Sequence, residues 1–389
     1  MHKPTTPKDI DKYIKTKRLD LESRDYQLRI ISKAINFVLV DGVDSIMIES
    51  PTGSGKTVMG QVIVQYLHDI GFTKSQSWIA MRKELLKQAH KHSTKIGADY
   101  NMHYVSMFNK RPPIVDTVVI DECQHDATES STSQHIIVKP KLTIGMSATP
   151  YRQDSAKLFF KRIIRDANTR ILIKAGYLSK FNHWMIDDWT PESVAITYLA
   201  DVEKWGQSIV FFRTMEECEA FKSILESADV NIELVTKDSD RDSQLEAFEK
   251  GEVQVLVNMM ILTEGFDCNT IHTAFVRDSS KGPTRQMAGR VLRLNGGAIK
   301  NIVQSKKTGY TFLKVAEAEN QYMLNNGDWE KVEENKKLDE MHSCAVDAII
   351  ETIKDEDSRS KKLVAAYAKI GWGIKSGKRR RRQAIGEVS

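Results

Sequence analysis

The run IMIESPTGSGKTVMG, residues 46–60, narrows what this chain can fold into more than any other stretch. An apolar strand-like segment ends abruptly in a turn holding Gly53 and Gly55, and a helical pattern starts at Lys56. Only glycine tolerates both the tight turn and the close backbone approach that wrapping a phosphate requires. The exposed N–H groups of such a turn, and the helix N-terminus behind it, favour anions. In that geometry Thr52, Gly53, Ser54 and Gly55 form the cradle. Lys56 reaches the β- and γ-phosphates of ATP, and the Thr57 hydroxyl holds Mg²⁺. Ser50 stands where the general pattern for these loops has glycine. The plainer reading is a Gly-rich turn with a surface lysine, and the flanking strand and helix weigh against it.

The rest of the chain repeats that unit. Strands are expected at Ser45–Glu49, Ser77–Met81, His103–Phe108, Thr117–Asp121 and Leu142–Ser147. A second block is expected at Ser208–Phe212, Ile232–Thr236, Val253–Asn258, Thr273–Arg277 and Tyr310–Val315. Several are unbroken apolar runs, as buried parallel strands are. Helix-spaced segments such as Val58–Leu67, Lys83–His92 and Met215–Ser227 lie between them. Strand–helix alternation in two blocks implies two parallel α/β domains joined near Ala175–Lys180. The expected division is a basic lead over 1–18, a first domain over 19–178, a second over 179–316, and a helical, charged region over 317–389.

TVVIDECQH begins 61 positions after Lys56 and puts two carboxylates at the end of an apolar strand. Asp121 would bind Mg²⁺, and Glu122 would orient and activate the attacking water as general base. Alone such a pair is usually a solvated strand end; behind a phosphate loop it completes an ATPase site.

Composition removes other classes. No apolar run approaches the eighteen or so residues that span a bilayer, and residues 1–18 hold no apolar signal core. Four widely spaced cysteines contain no CxxC pair, which leaves neither a zinc ribbon nor a disulfide scaffold and suits a reducing cytoplasm. The net charge of +5 is concentrated at the ends. Residues 375–389 hold six basic side chains against one acidic, and residues 1–18 hold six against two.

The motif order resembles superfamily 2 helicases and translocases over most of residues 19–315. RDYQ, 24–27, is similar to the adenine-reading motif, with Arg24 and Gln27 as the base contacts. AMRKELLKQ, 80–88, is similar to a nucleic-acid-contact motif in which Arg82 would be a phosphate or positioning contact. DECQ occupies the DExx position, and GMSATPYR, 145–152, resembles the coupling motif. The resemblance makes Gln124, Ser147 and Thr149 the link between ATP state and domain movement. ILTEGFDC, 261–268, resembles a motif that touches both nucleotide and nucleic acid, implicating Thr263, Gly265 and Asp267. GPTRQMAGRVLR, 282–293, contains QxxGRxxR and places Gln286, Arg290 and Arg293 at i, i+4, i+7, one face of a helix aimed at the γ-phosphate.

Within that superfamily the strings MRKELLKQ, IDECQH, GMSATPYR, IKAGYLS and MAGRVLR resemble RadD-like and type III restriction-like helicases. The implied fold is two tandem RecA-like domains with a short, mainly helical C-terminal segment. The implied cofactors are ATP and Mg²⁺, and the implied partner is DNA, single-stranded, forked or branched, with RNA as the alternative polymer. The implied setting is the cytoplasm of a bacterial or phage-infected cell. The basic run Arg379, Arg380, Arg381 and Arg382 would grip backbone phosphates, or be a solvated tail. Three functions compete: a DNA helicase or translocase, an RNA-dependent remodelling ATPase, and an ATP-switched motor subunit of a restriction or defence complex.

Overall fold

The computed structural model describes residues 3–98, 100–125, 137–149, 160–259, 261–263 and 268–332. The first domain runs α1 (Pro7–Lys17), α2 (Asp25–Leu39), β1 (Ser45–Glu49), α3 (Lys56–Asp69), β2 (Gln76–Ala80), α4 (Lys83–Lys95), β3 (Met102–Ser106), β4 (Thr117–Asp121), β5 (Leu142–Ser147) and β6 (Arg162–Ile164). Its six strands are parallel in the order β3-β2-β4-β5-β1-β6. A parallel sheet puts every strand's C-terminal end on one edge. The phosphate loop after β1, the DECQ turn after β4 and the SAT segment after β5 therefore meet there. The basic lead belongs to this domain. Thr6 and Asp9 close a capping box at the start of α1, and Ile10 and Ile14 are buried beneath it.

A short helix, α5 (Thr169–Lys174), leads into the second domain. There follow β7 (Phe181–Ile186), α6 (Pro191–Leu199), α7 (Val202–Trp205), β8 (Ser208–Phe211), α8 (Met215–Glu226), β9 (Ile232–Leu234), α9 (Arg241–Glu249), β10 (Val255–Asn258), β11 (Thr273–Phe275), α10 (Lys281–Gly289), β12 (Lys300–Ser305), β13 (Gln321–Asn325) and β14 (Asp328–Lys331). The eight strands lie in the order β14-β13-β7-β12-β11-β8-β10-β9. All pairs are parallel except the β13–β14 hairpin.

Two expectations are corrected by this sheet. Tyr310–Val315 is not a strand: Phe312–Lys314 is a 3₁₀ turn whose Leu313 N–H donates to the Thr311 hydroxyl at 3.3 Å. Nor do the strands stop at 317, because β13 and β14 extend the second sheet. The expected helical tail over 333–389 lies outside the described residues, and with it Arg379, Arg380, Arg381 and Arg382. The phosphate grip expected of those four arginines therefore has no structural counterpart among the described residues.

The hairpin turn is Asn326–Gly327, both at positive φ, as a two-residue hairpin prefers. It docks through aromatic contact. Tyr322 stacks on Trp184 at 4.0 Å, and Trp329 meets Trp184 edge-on at 4.9 Å. The Lys204 ammonium sits over the rings of Trp184, Trp205 and Trp329 at 3.7, 4.4 and 4.7 Å, a cation–π cluster that ties β14 to α7.

β7 and β12 have no counterpart among the expected strands, and in β12 most of the buried side chains are polar. Asn301 Oδ1 accepts from Trp184 Nε1 at 2.8 Å, and Lys300 Nζ donates to the carbonyls of Asn269 and Ile271. His183 Nε2 lies 3.0 Å from Gln304 Oε1. Burial pushes the His183 imidazole down to about 4 from 6.5. The folded chain thus holds a neutral ring that the unfolded chain protonates below about 6.5. His183 leaves stability intact above that pH and erodes it as pH falls towards 4, by about 3 kcal/mol in all. Urea unfolding at pH 7 and pH 4 should show the loss, and His183→Gln should lack that share of the pH slope.

Candidate active site

β1 delivers the chain into the loop at Ser50, and Gly53 and Gly55 turn it with φ of 80° and 79°. A side chain at Gly55 would be strained and would also put its Cβ 2.5 Å from Gln27 Nε2. Gln27 is buried, donates to the Ser54 carbonyl at 3.0 Å and accepts from the Arg24 N–H at 3.3 Å. Tyr26 donates to the same carbonyl at 2.6 Å. The segment expected to read adenine therefore braces the phosphate loop directly. The Lys56 ammonium is folded back onto the Ser50 and Pro51 carbonyls at 3.3 and 3.5 Å. The Ser50 and Ser54 hydroxyls are buried without hydrogen-bond partners among the described residues.

β4 ends at Asp121, and Glu122 then adopts φ 49°, a left-handed conformation uncommon outside glycine. A hydrogen-bonded chain starts at that carboxylate. Gln124 Nε2 donates to Glu122 Oε2 at 3.1 Å, and the Ser147 hydroxyl donates to Gln124 Oε1 at 2.6 Å. The same hydroxyl accepts from the Thr149 N–H at 2.9 Å. Gly282 of α10 faces Thr149: a Cβ there would lie 4.0 Å from Thr149 Cγ2. Gln124, Ser147 and Thr149, the residues expected to couple ATP state to movement, thus form one hydrogen-bonded chain with Glu122, and its Thr149 end lies near Gly282 of α10.

α10 closes over the loop. Gly289 packs on Thr52, where a Cβ would stand 3.2 Å from Thr52 Cβ. Arg290 caps the helix C-terminus and is buried. Arg293 lies past the helix end, in the turn that the Ser179 N–H and hydroxyl hold through the Leu292 and Arg293 carbonyls at 2.8 and 3.0 Å. Gln286, Arg290 and Arg293 therefore do not share one helix face. Desolvation pushes the Arg293 guanidinium down to about 10.

Together these elements line a cavity of about 270 Å³. Thr52, Gly53, Gly55, Lys56, Thr57, Asp121 and Glu122 stand on one side, and Arg290 and Arg293 on the other. Arg24 also lines it, and its guanidinium lies 5.3 Å from the Tyr177 ring centre. Tyr177 lies in the IKAGYLS string, which carries no assigned role, Gln88 ends the AMRKELLKQ motif without being singled out there, and His92 and Asn269 belong to no expected site. They converge only in three dimensions, from α4, the linker and the segment before β11. Gln286 is buried in α10 and is not among the cavity's lining residues. Arg82 N-caps α4 and donates to the Ile261 carbonyl of the second domain at 2.6 Å, so here it bridges the domains. Gly265, Asp267 and the Thr263 side chain lie outside the described residues.

The residues fit the expected cofactors. The two positive-φ glycines hold a cradle that a Cβ would fill, and the orphaned loop hydroxyls lie in it. Thr57 and Asp121 are the hard oxygen donors that Mg²⁺ takes alongside phosphate oxygens.

Two parallel α/β domains, with a phosphate loop and acidic pair on one and arginines from the other, define the superfamily 2 helicase class, whose members are nucleic-acid-dependent ATPases. The chain resembles that superfamily in both domains, each of which carries one matching family segment. Residues 20–112 match the family "Type III restriction enzyme, res subunit", and residues 192–295 match "Helicase conserved C-terminal domain". Among curated proteins it is 24% identical over 341 residues to IRC3 of Saccharomyces cerevisiae, named as an ATP-dependent helicase, covering 70% of this chain and 49% of that one. It is 24% identical over 345 residues to the irc3 protein of Schizosaccharomyces pombe, named as a mitochondrial ATP-dependent helicase, covering 72% and 56%. The chain thus spans about half the length of these relatives. Among solved structures it resembles S. cerevisiae Dbp5 bound to RNA and ADP BeF3, with TM-score 0.54, 14% identity, and 76% and 86% of the two chains covered. It also resembles the type ISP restriction-modification enzyme LlaBIII bound to DNA, with TM-score 0.51, 15% identity, and 77% and 28% covered. Those likenesses show the fold.

Proposed function

We propose that the chain is an ATP-driven DNA helicase or translocase working on forked, branched or recombination intermediates. The observation that carries the motor reading is the cavity shared by Lys56, Glu122 and Arg290, because a site that needs both domains makes hydrolysis depend on their closure. Lys56 and the loop N–H groups bind phosphate, Thr57 and Asp121 hold Mg²⁺, and Glu122 takes the proton from the attacking water. The ion supplies charge neutralisation at the phosphates when bound. Relief of closure moves α10 against Thr149, and the Ser147–Gln124 chain carries that movement to and from Glu122.

The DNA half of the reading leans on the type III restriction family match and on the DNA-bound LlaBIII. The RNA-bound Dbp5 favours an RNA-dependent ATPase as the second reading. ATPase stimulation and strand displacement, measured side by side on single-stranded DNA, duplex, forks and RNA, separate the two. Forks should stimulate most, and stimulation by RNA alone would replace DNA in the account. Stoichiometric DNA binding with no strand displacement would instead favour a motor subunit that needs a partner chain.

The coupling chain makes its own prediction. In Gln124→Ala the strand displaced per ATP consumed should fall about tenfold, the worth of one hydrogen bond of ~1.4 kcal/mol, while ATP turnover falls less. Paired phosphate-release and displacement assays give the ratio; an unchanged ratio would detach Gln124 from coupling.

A further inference from the structure

We propose that Phe108 is a stacking platform for an unpaired nucleic-acid base, with Lys110 and Arg111 as its phosphate contacts; the proposal rests on the nucleic-acid-motor reading above. β3 is the outer strand of the first sheet and ends on the same edge as the phosphate loop. The Met107 N–H donates to the Ala80 carbonyl at 2.9 Å, which carries the β2–β3 pairing one step past the strand ends, immediately before Phe108. Met107 is fully buried, so the next side chain points outward, and Phe108 is 53% exposed.

The backbone that carries the ring is held. The Phe108 N–H donates to Ser106 Oγ at 3.3 Å, the Asn109 N–H to the Ser106 carbonyl at 2.9 Å, and the Arg111 N–H to Asn109 Oδ1 at 2.9 Å. Pro112 and Pro113 stiffen the backbone immediately beyond Arg111. An exposed phenyl ring costs free energy in water, and Phe108 is not part of the core cluster that Met107 and Val115 help to form. Lys110 and Arg111 are exposed and form no ion pair among the described residues. An aromatic face beside backbone-reaching cations is the combination that binds single strands without reading sequence. An apolar protein partner would find two adjacent cations unfavourable. Four strand spacings separate β3 from β1, roughly 19 Å, so the ring stands well clear of the phosphate loop.

The test uses the full chain and single-stranded oligonucleotides carrying one 2-aminopurine at successive positions. Stacking on Phe108 should quench the probe at one register. Phe108→Leu should lose the quench and bind about 5- to 100-fold more weakly, with its melting temperature unchanged because the ring is exposed. Phe108→Tyr should keep both quench and affinity. Lys110→Gln and Arg111→Gln should each lower the log–log salt slope of binding by about 1. If the wild-type chain binds strands and Phe108→Leu matches it in affinity and quench, the platform is refuted and the motor reading stands. If the wild-type chain binds neither DNA nor RNA, both fall.

Discussion

Arg290→Ala should lower nucleic-acid-stimulated ATP turnover by about 10³–10⁵-fold, the contribution of an arginine finger to phosphoryl transfer. Arg290 is 5% exposed, caps α10 and faces the cavity that holds Lys56 and Glu122. Its charge acts where water is largely excluded, so it meets developing negative charge with little screening. Its position depends on Gly289 lying flat on Thr52, a contact that exists only between the two domains. Arg290→Lys should not restore the rate, since an ammonium lacks the planar fork that spans two phosphate oxygens. Steady-state phosphate release at saturating ATP measures the loss. A fall of less than about tenfold would remove Arg290 from the reaction.

Glu122→Gln should lower turnover by about 10²–10⁴-fold, the range for a general base, while nucleotide still binds. The amide keeps the shape of the carboxylate and still accepts from Gln124, whose Nε2 lies 3.1 Å from Glu122 Oε2. What it loses is the ability to take a proton. Glu122 follows the end of β4 and lines the cavity beside Lys56 and Asp121. Retained binding of a fluorescent ATP analogue, with slow single-turnover hydrolysis, is the expected pair of results. Loss of binding would mean that Glu122 shapes the pocket instead.

The elements legible in the chain are those whose signal is local. β1, β4 and β5 are apolar runs buried along most of their length, and they lie where expected. The phosphate loop needs only its glycines and Lys56. β12 is hidden because Lys300, Asn301 and Gln304 look like loop residues until their partners Ile271, Trp184 and His183 are brought alongside. The β13–β14 hairpin carries its turn signal in Asn326–Gly327, yet the charged surroundings mask the alternation. Tyr177 reaches the cavity from a string that carries resemblance but no assigned role, and His92 from a segment with no motif of its own. Spacing alone puts Arg293 on a helix, whereas the helix stops at Gly289 and a turn carries Arg293 to the same cavity.

The most direct test is ATP hydrolysis by the wild-type chain and Lys56→Ala, each with and without single-stranded DNA. Lys56 is folded into the phosphate loop itself, with its ammonium 3.3 Å from the Ser50 carbonyl. The wild-type rate should rise when DNA is added, and Lys56→Ala should show no turnover above background in either condition. Near-normal hydrolysis by Lys56→Ala would contradict the site, and a wild-type rate indifferent to every nucleic acid would contradict the motor.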